Sequence, residues 1–178
     1  MMKRLSTAER REYILSILKS SKEAVTGNQL SELTHVSRQI IVKDISFLKA
    51  NNETIIATSQ GYLYLPSQTM QPSYEKMIVC NHHPDQTAIE LYTLVDHEIT
   101  VKDIIVEHPI YGELKAILML STRNDVKNFL EKVASSKAGY LSQLTGGIHI
   151  HTVQANSLEQ LNLAIKKLKD KSIIVSEK

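Results

Sequence analysis

A chain of 178 residues, 42% hydrophobic and 22% charged, is long enough for one ordinary domain or two small ones, each with a modest core. Six Gly and four Pro exclude a collagen-like or linker-dominated chain, and no apolar run approaches the roughly 20 residues that span a bilayer. The single cysteine, Cys80, excludes an internal disulfide framework, and a net charge of +2 by itself selects no partner.

The N-terminus has charge but no apolar stretch after it, so it does not read as a secretory signal; a soluble, cytoplasmic protein without membrane contact is predicted. Charge and histidine are unevenly spread. Residues 1–66 carry nine Lys/Arg against six Asp/Glu, residues 67–178 twelve against thirteen, and six of the seven histidines lie beyond residue 80. Between the halves, Pro66-Ser-Gln-Thr-Met-Gln-Pro-Ser73 has no hydrophobic periodicity and contains two prolines. The predicted organisation is a domain over residues 1–66, a linker over 67–75 and a second domain over 76–178.

Ser6-Thr-Ala-Glu9 is a capping-box sequence, and Tyr13, Ile14, Ile17 and Leu18 follow it at helical spacing. Thr26-Gly-Asn-Gln29 opens a second, short helix with Leu30 and Leu33 on one face. After the turn Thr34-His35-Val36, Ser37 can cap a third helix carrying Ile40, Ile41, Ile45 and Leu48. Two short helices joined by a three-residue turn are the helix-turn-helix pattern. Thr54–Thr58 and Tyr62–Leu65, two β-rich runs around Ser59-Gln-Gly61, predict a hairpin wing.

This segment resembles the winged helix-turn-helix domains of bacterial repressors, through Leu30, Leu33, Val36-Ser37-Arg38-Gln39, Asp44-Ile45, Leu48 and Gly61-Tyr62. Asn51-Asn52 stands where glycine is usual, a mild departure because Asn tolerates the left-handed conformation. Ser37, Arg38 and Gln39 then occupy the exposed start of the third helix, where side chains meet base edges in the major groove. Arg pairs bidentately with guanine and Gln with adenine. Lys43, Thr58 and Ser59 are placed for phosphate, which positions without specifying. The partner is double-stranded operator DNA.

Beyond the linker, strands are predicted over Lys76–Cys80, Thr100–Val106, Glu113–Leu120 and Gly147–Val153, with a short closing strand over Ile173–Val175. Helices are predicted over Pro84–Asp96, Asn124–Ser136 and Ser157–Leu168. The order βαββαβ with a further helix and strand implies helices packed on a mostly antiparallel sheet. The whole chain is thus α+β: a winged helix-turn-helix, then an α+β domain with ferredoxin-like wiring.

In Gly146-Gly-Ile-His149-Ile-His151, the two histidines share one strand face and can converge on one ion. A second group, Asn81-His82-His83-Pro84-Asp85, places His82 at a strand-to-helix junction, with Glu90 two turns on to supply a carboxylate oxygen. Nitrogen and carboxylate donors suit zinc, nickel, iron or another borderline divalent ion. The residues alone leave ordinary packing as the alternative. A third stretch, Val106-Glu-His108-Pro-Ile-Tyr111-Gly-Glu113, is a polar and aromatic loop between apolar strands, which by itself reads equally as a solvated turn.

These three motifs, with Leu144-Thr-Gly-Gly leading into His149-Ile-His151-Thr152, resemble the three-histidine (3H) domain. With the winged helix in front, the chain resembles the NiaR-type nicotinate-responsive repressors of NAD metabolism over nearly its whole length. That resemblance implies a homodimeric repressor of NAD-biosynthesis and niacin-uptake genes, no enzymatic activity, nicotinic acid as co-repressor, and one divalent transition metal ion per chain. It implies His82, Glu90, His149 and His151 as metal ligands, with His83 an alternative to His82, and His108 nearby. His108 and Tyr111 could wall the pyridine ring, and Arg123 could pair with its carboxylate. His35 and His97 match no motif and are expected at the surface. A metal-sensing regulator and, further off, a metal-dependent hydrolase are the competing functions.

Overall fold

The computed structural model describes residues 5–65, 73–136 and 138–175, in two compact units, residues 1–69 and 70–178. Residues 66–72, most of the expected linker, lie outside the described residues.

In the first unit α1 (Thr7–Ser20) starts at the expected capping box: the Glu9 amide donates to Ser6 Oγ, and the Ser6 amide to Glu9 Oε2 at 2.8 Å. Thr26 and Gln29 repeat the device at α2 (Gly27–Thr34). His35 takes the left-handed conformation and breaks the chain cleanly before α3 (Arg38–Ala50). Ser37 stands at the N-cap of α3, but its hydroxyl makes no capping hydrogen bond. Ile14, Leu18, Leu30, Ile41, Ile45 and Leu48 close the core between the three helices. After α3, Asn52 adopts φ 65°, the left-handed geometry Asn was expected to tolerate.

The wing is β1 (Ile55–Thr58) paired antiparallel with β2 (Gly61–Tyr64). It is tied to the helices by Val25, whose amide and carbonyl exchange 2.8 Å hydrogen bonds with Tyr62. Gly61 makes that approach feasible: at φ 138°, a Cβ there would lie 2.6 Å from the Val25 carbonyl oxygen.

The second unit is a four-stranded sheet in the order β3-β6-β4-β5, with every neighbouring pair antiparallel. Its elements run β3 (Tyr74–Asn81), α4 (Thr87–Asp96), β4 (Thr100–His108), β5 (Gly112–Leu120), α5 (Arg123–Ser135), β6 (Ile148–Ala155) and α6 (Leu158–Asp170). The βαββαβ wiring is present; that β6 inserts between β3 and β4 is a choice the wiring alone does not make. Leu91, Leu94, Val101, Leu120, Leu161 and Leu168 pack between helices and sheet. Two details differ from the sequence reading. Pro84–Gln86 forms a 3₁₀ turn ahead of α4, consistent with proline holding the first turn. The closing strand reduces to one bridge, Ile174 opposite Cys80, because the chain reverses tightly at Ser172 (φ 57°) and touches β3 briefly.

One charge is buried in the first unit. Asp44, on the inner face of α3, is 1% exposed and accepts from Arg10 Nε at 2.7 Å and Arg11 Nε at 2.8 Å, tying α3 to α1. Burial opposes its ionisation, but the two guanidiniums outweigh that and hold its pKa below the ordinary carboxylate value. Asp44→Ala strands both arginines, so it should destabilise the unit by about 3 kcal/mol, the low end for a broken buried pair because the guanidinium edges can rehydrate. Urea titration followed by circular dichroism reads this directly; a loss within experimental error of zero would show the pair to be solvated.

Candidate metal centre and DNA-reading helix

Strand register assembles the histidines. In the β3–β6 ladder, Cys80 faces His149 and Ile78 faces His151, so both β6 histidines lie on the side covered by helices. The ladder ends at Asn81 opposite Ile148, and the next residue, His82, turns inward to join them. That turn needs Gly147: at φ 106°, a Cβ there would stand 2.5 Å from the His82 carbonyl oxygen. From α4 comes Glu90, whose neighbours Ile89 and Leu91 make it look like a flank position in the sequence. Glu90 is 1% exposed, and its carboxylate is the centre of the group.

Glu90 Oε2 lies 2.8 Å from His82 Nε2 and 3.4 Å from His149 Nε2; Oε1 lies 3.6 Å from His151 Nε2. All three rings are anchored the same way. Each Nδ1 donates to a backbone carbonyl: His82 to His83 at 2.8 Å, His149 to Gly147 at 2.8 Å and His151 to Asp103 at 2.6 Å. Every Nε2 is therefore left facing the carboxylate. Glu90 Oε1 has no hydrogen-bond partner despite its burial.

Burial disfavours the Glu90 anion, but the charge of His151 and the close imidazoles of His149 and His82 overcome it and hold the carboxyl well below its ordinary pKa. Burial likewise opposes protonation of His82 and His151, and is outweighed: the Glu90 hydrogen bond and the His83 carbonyl raise His82, and the Glu90 charge raises His151. Cys80, read from sequence only as the absence of a disulfide, sits against this group. Its sulfur and one donor atom each from Glu90 and His149 lie within 4.8 Å of one another. Burial, then the Glu90 charge, push the thiol pKa up, so it stays protonated beside the carboxylate. The signal was present in strand parity, since Cys80 shares a face with Ile78.

The other candidates separate. His83 is exposed, which makes His82 the inward residue of the pair. A cavity of about 130 Å³ opens beside Glu90, His149 and His151, but His108, Tyr111 and Arg123 do not line it. His108 and Tyr111 lie where β4 turns into β5, stacked on each other with ring centroids 5.0 Å apart, and His108 Nδ1 accepts from the Ile110 and Tyr111 amides. Arg123 is held bidentately by Asp96 at 2.6 and 2.7 Å and lies over the Tyr92 ring. These three residues stand apart from the histidine cluster: the hairpin turn carries two of them to its end, and an ion pair occupies the third. His35 is exposed as expected, whereas His97 is half-buried and bonded to the Thr93 carbonyl at 2.7 Å.

In the first unit Ser37, Arg38, Gln39 and Lys43 are all exposed at the start and along the outer side of α3. The wing residues Thr58 and Ser59 are half-buried. Thr58 Oγ1 donates to the Gly61 carbonyl and accepts the Gln60 amide, so its hydroxyl shapes the turn.

The histidine cluster makes stability pH-dependent. Because His82 and His151 have raised folded pKa values, their contribution is fully present below an unfolded histidine value of about 6.5 and is lost as pH rises through the folded values. Glu90 contributes above an unfolded value of about 4.3, and its share is lost only as pH falls through its depressed folded pKa. In chelator, the melting temperature should therefore be highest between about pH 4.5 and 6.5 and fall toward pH 9. Glu90→Gln should flatten that upper slope; melts that rise from pH 6.5 to 9 would contradict the assignment.

Comparison with known proteins agrees with both units. Residues 10–63 match an HTH domain family and residues 75–177 match the 3H domain family. The chain is 44% identical to transcription repressor NadR of Bacillus subtilis (strain 168), over 98% of this chain and 97% of that protein. It is 35% identical to probable transcription repressor NiaR of Thermotoga maritima, over 95% of both chains. Among the described residues no helix is long and apolar enough to cross a membrane. With the third helix of an HTH unit exposed at its start and a three-histidine cluster enclosed in the other unit, the chain belongs to the NadR/NiaR family of 3H-domain transcription repressors, DNA-binding regulators rather than enzymes.

Proposed function

We propose that this repressor acts on genes of NAD biosynthesis and niacin uptake, with nicotinic acid as co-repressor and a divalent metal ion in the 3H unit. The observation that carries the reading is the common anchoring of His82, His149 and His151. Each Nδ1–H is held by a carbonyl, which fixes the tautomer and leaves the Nε2 lone pair aimed at Glu90, the arrangement expected of metal-ligating imidazoles. The buried Glu90 Oε1, without a hydrogen-bond partner, is a donor atom such an ion would satisfy. The residues present therefore fit the group, and His82, Glu90, His149 and His151 would hold it. When bound, an ion of the zinc, nickel or iron kind supplies positive charge for the carboxylate of the effector.

On the DNA side, Arg38 and Gln39 read base edges while Lys43 contacts phosphate. A homodimer supplies the second half-site, because one winged helix covers too few base pairs for tight specific binding. Support for a 3H-unit contact comes from the sheet face opposite the helices, where Met77, Val79 and Ile148 stand exposed.

Fluorescence titration of upstream DNA from such genes, with metal, with nicotinate and with both, tests the reading. Tight binding only with both is expected, with a footprint of two half-sites related by a two-fold axis; full binding with metal alone would make this a metal sensor. Arg38→Ala should cost about 1–3 kcal/mol and relax one operator position, while Lys43→Ala should weaken all sequences alike and lower the salt slope by about one. Uniform loss on Arg38→Ala would overturn the reading-helix assignment. Gly147→Ala removes no ligand but displaces the His82 backbone, and should weaken metal affinity about 10–100-fold by competition with a chromophoric chelator.

A further inference from the structure

The cavity beside the histidine cluster has an apolar lining that includes Ile104, Leu118, Phe129 and Val133, with Tyr140 at its side. Its volume, about 130 Å³, is close to that of an engineered apolar cavity of roughly 150 Å³ that admits benzene. One aromatic ring fits; a fused bicycle or a nucleotide does not. Its polar groups lie unevenly. At one end are Glu90, His149 and His151, where the ion of the proposed function would supply positive charge. Thr87, one turn before Glu90 on the same face of α4, also lines the cavity. It is 7% exposed, and Thr87 Oγ1 has no hydrogen-bond partner. An unpaired buried hydroxyl is costly, and in a cavity wall it is a donor waiting for an acceptor.

Resting on the nicotinate reading above, we infer that this cavity seats a monocyclic heteroaromatic carboxylate and that the Thr87 hydroxyl donates to its ring nitrogen. The carboxylate belongs at the histidine end, because moving an anion out of water against one neutral hydroxyl is unfavourable, whereas a pyridine nitrogen is a neutral acceptor that such a hydroxyl satisfies. Phe129 and Tyr140, tilted 50° to one another, supply aromatic faces for the ring. Thr87 is thus a specificity-determining residue: it separates pyridine carboxylates from benzoate.

Calorimetric titration of the zinc-loaded full chain with nicotinate, benzoate and quinoline-3-carboxylate tests this. The wild type should bind nicotinate about tenfold more tightly than benzoate and should not bind the bicycle. Thr87→Val, nearly isosteric, should lose that tenfold for nicotinate and nothing for benzoate, while its melting temperature without ligand stays equal or rises. Val133→Phe should fill the cavity and abolish nicotinate binding with zinc still retained. If wild-type protein binds no nicotinate, the functional reading itself fails. If wild type binds but both variants bind equally well, that reading stands and this seat is wrong. Equal losses for nicotinate and benzoate in Thr87→Val would overturn the ring-nitrogen contact.

Discussion

Glu90 is a carboxylate almost wholly removed from water, and the 3H unit is arranged around making that tolerable. An isolated buried anion would cost several kcal/mol or give up its charge. Three imidazoles prevent this: His82 comes from the end of β3 and His149 and His151 from β6, while α4 carries the carboxylate to them from across the sheet. Each ring is held in turn by a backbone carbonyl, one of which, from Asp103, lies at an irregularity of β4. Asp103 is itself fixed, accepting from the Thr152 amide at 3.0 Å and pairing with Lys115 at 2.8 Å. Strand register, glycine geometry and helix phase thus all converge on one pair of oxygens.

The two units bury carboxylates by different chemistries. Asp44 is neutralised by arginines, whose charge is fixed across the accessible pH range, so the joint between α1 and α3 is a permanent one. Glu90 is neutralised by histidines, which can hold a proton or offer a lone pair. The same carboxylate can then be satisfied by protons or by a metal ion. Which cation stands beside each acid thus decides whether its neutralisation can change with pH.

On the proposed function, cavity and cluster trade stability for response. An unpaired hydroxyl at Thr87 and an unpaired oxygen at Glu90 are both unfavourable in a protein that only had to fold. Each faces the site where the proposed metal and effector meet. Binding that satisfies these atoms stabilises the liganded state without any new packing, which is how a small ligand can shift the balance between conformations.

Much of this was legible in the sequence wherever the determinant is local. Capping boxes at Ser6 and Thr26, the turn at His35, and the period of Ile14, Leu18, Ile41 and Ile45 depend on neighbours a few residues away, so helices and their caps could be read directly. The His149/His151 pair was legible because strand alternation places i and i+2 on one face. What the sequence could not show depends on contacts between distant segments. Glu90 looked like a flank residue because helix phase relative to the sheet is set by packing; Cys80 joined the group only through the β3–β6 register; Arg123 was claimed by Asp96 across a gap of 27 residues. His108 and Tyr111 matched a motif, yet the hairpin carries them away from the cavity, and Thr87 carried no motif at all. Local sequence determined the elements and the donor types; strand order and register decided which of those donors meet, because they alone bring residues far apart in the chain to a common point.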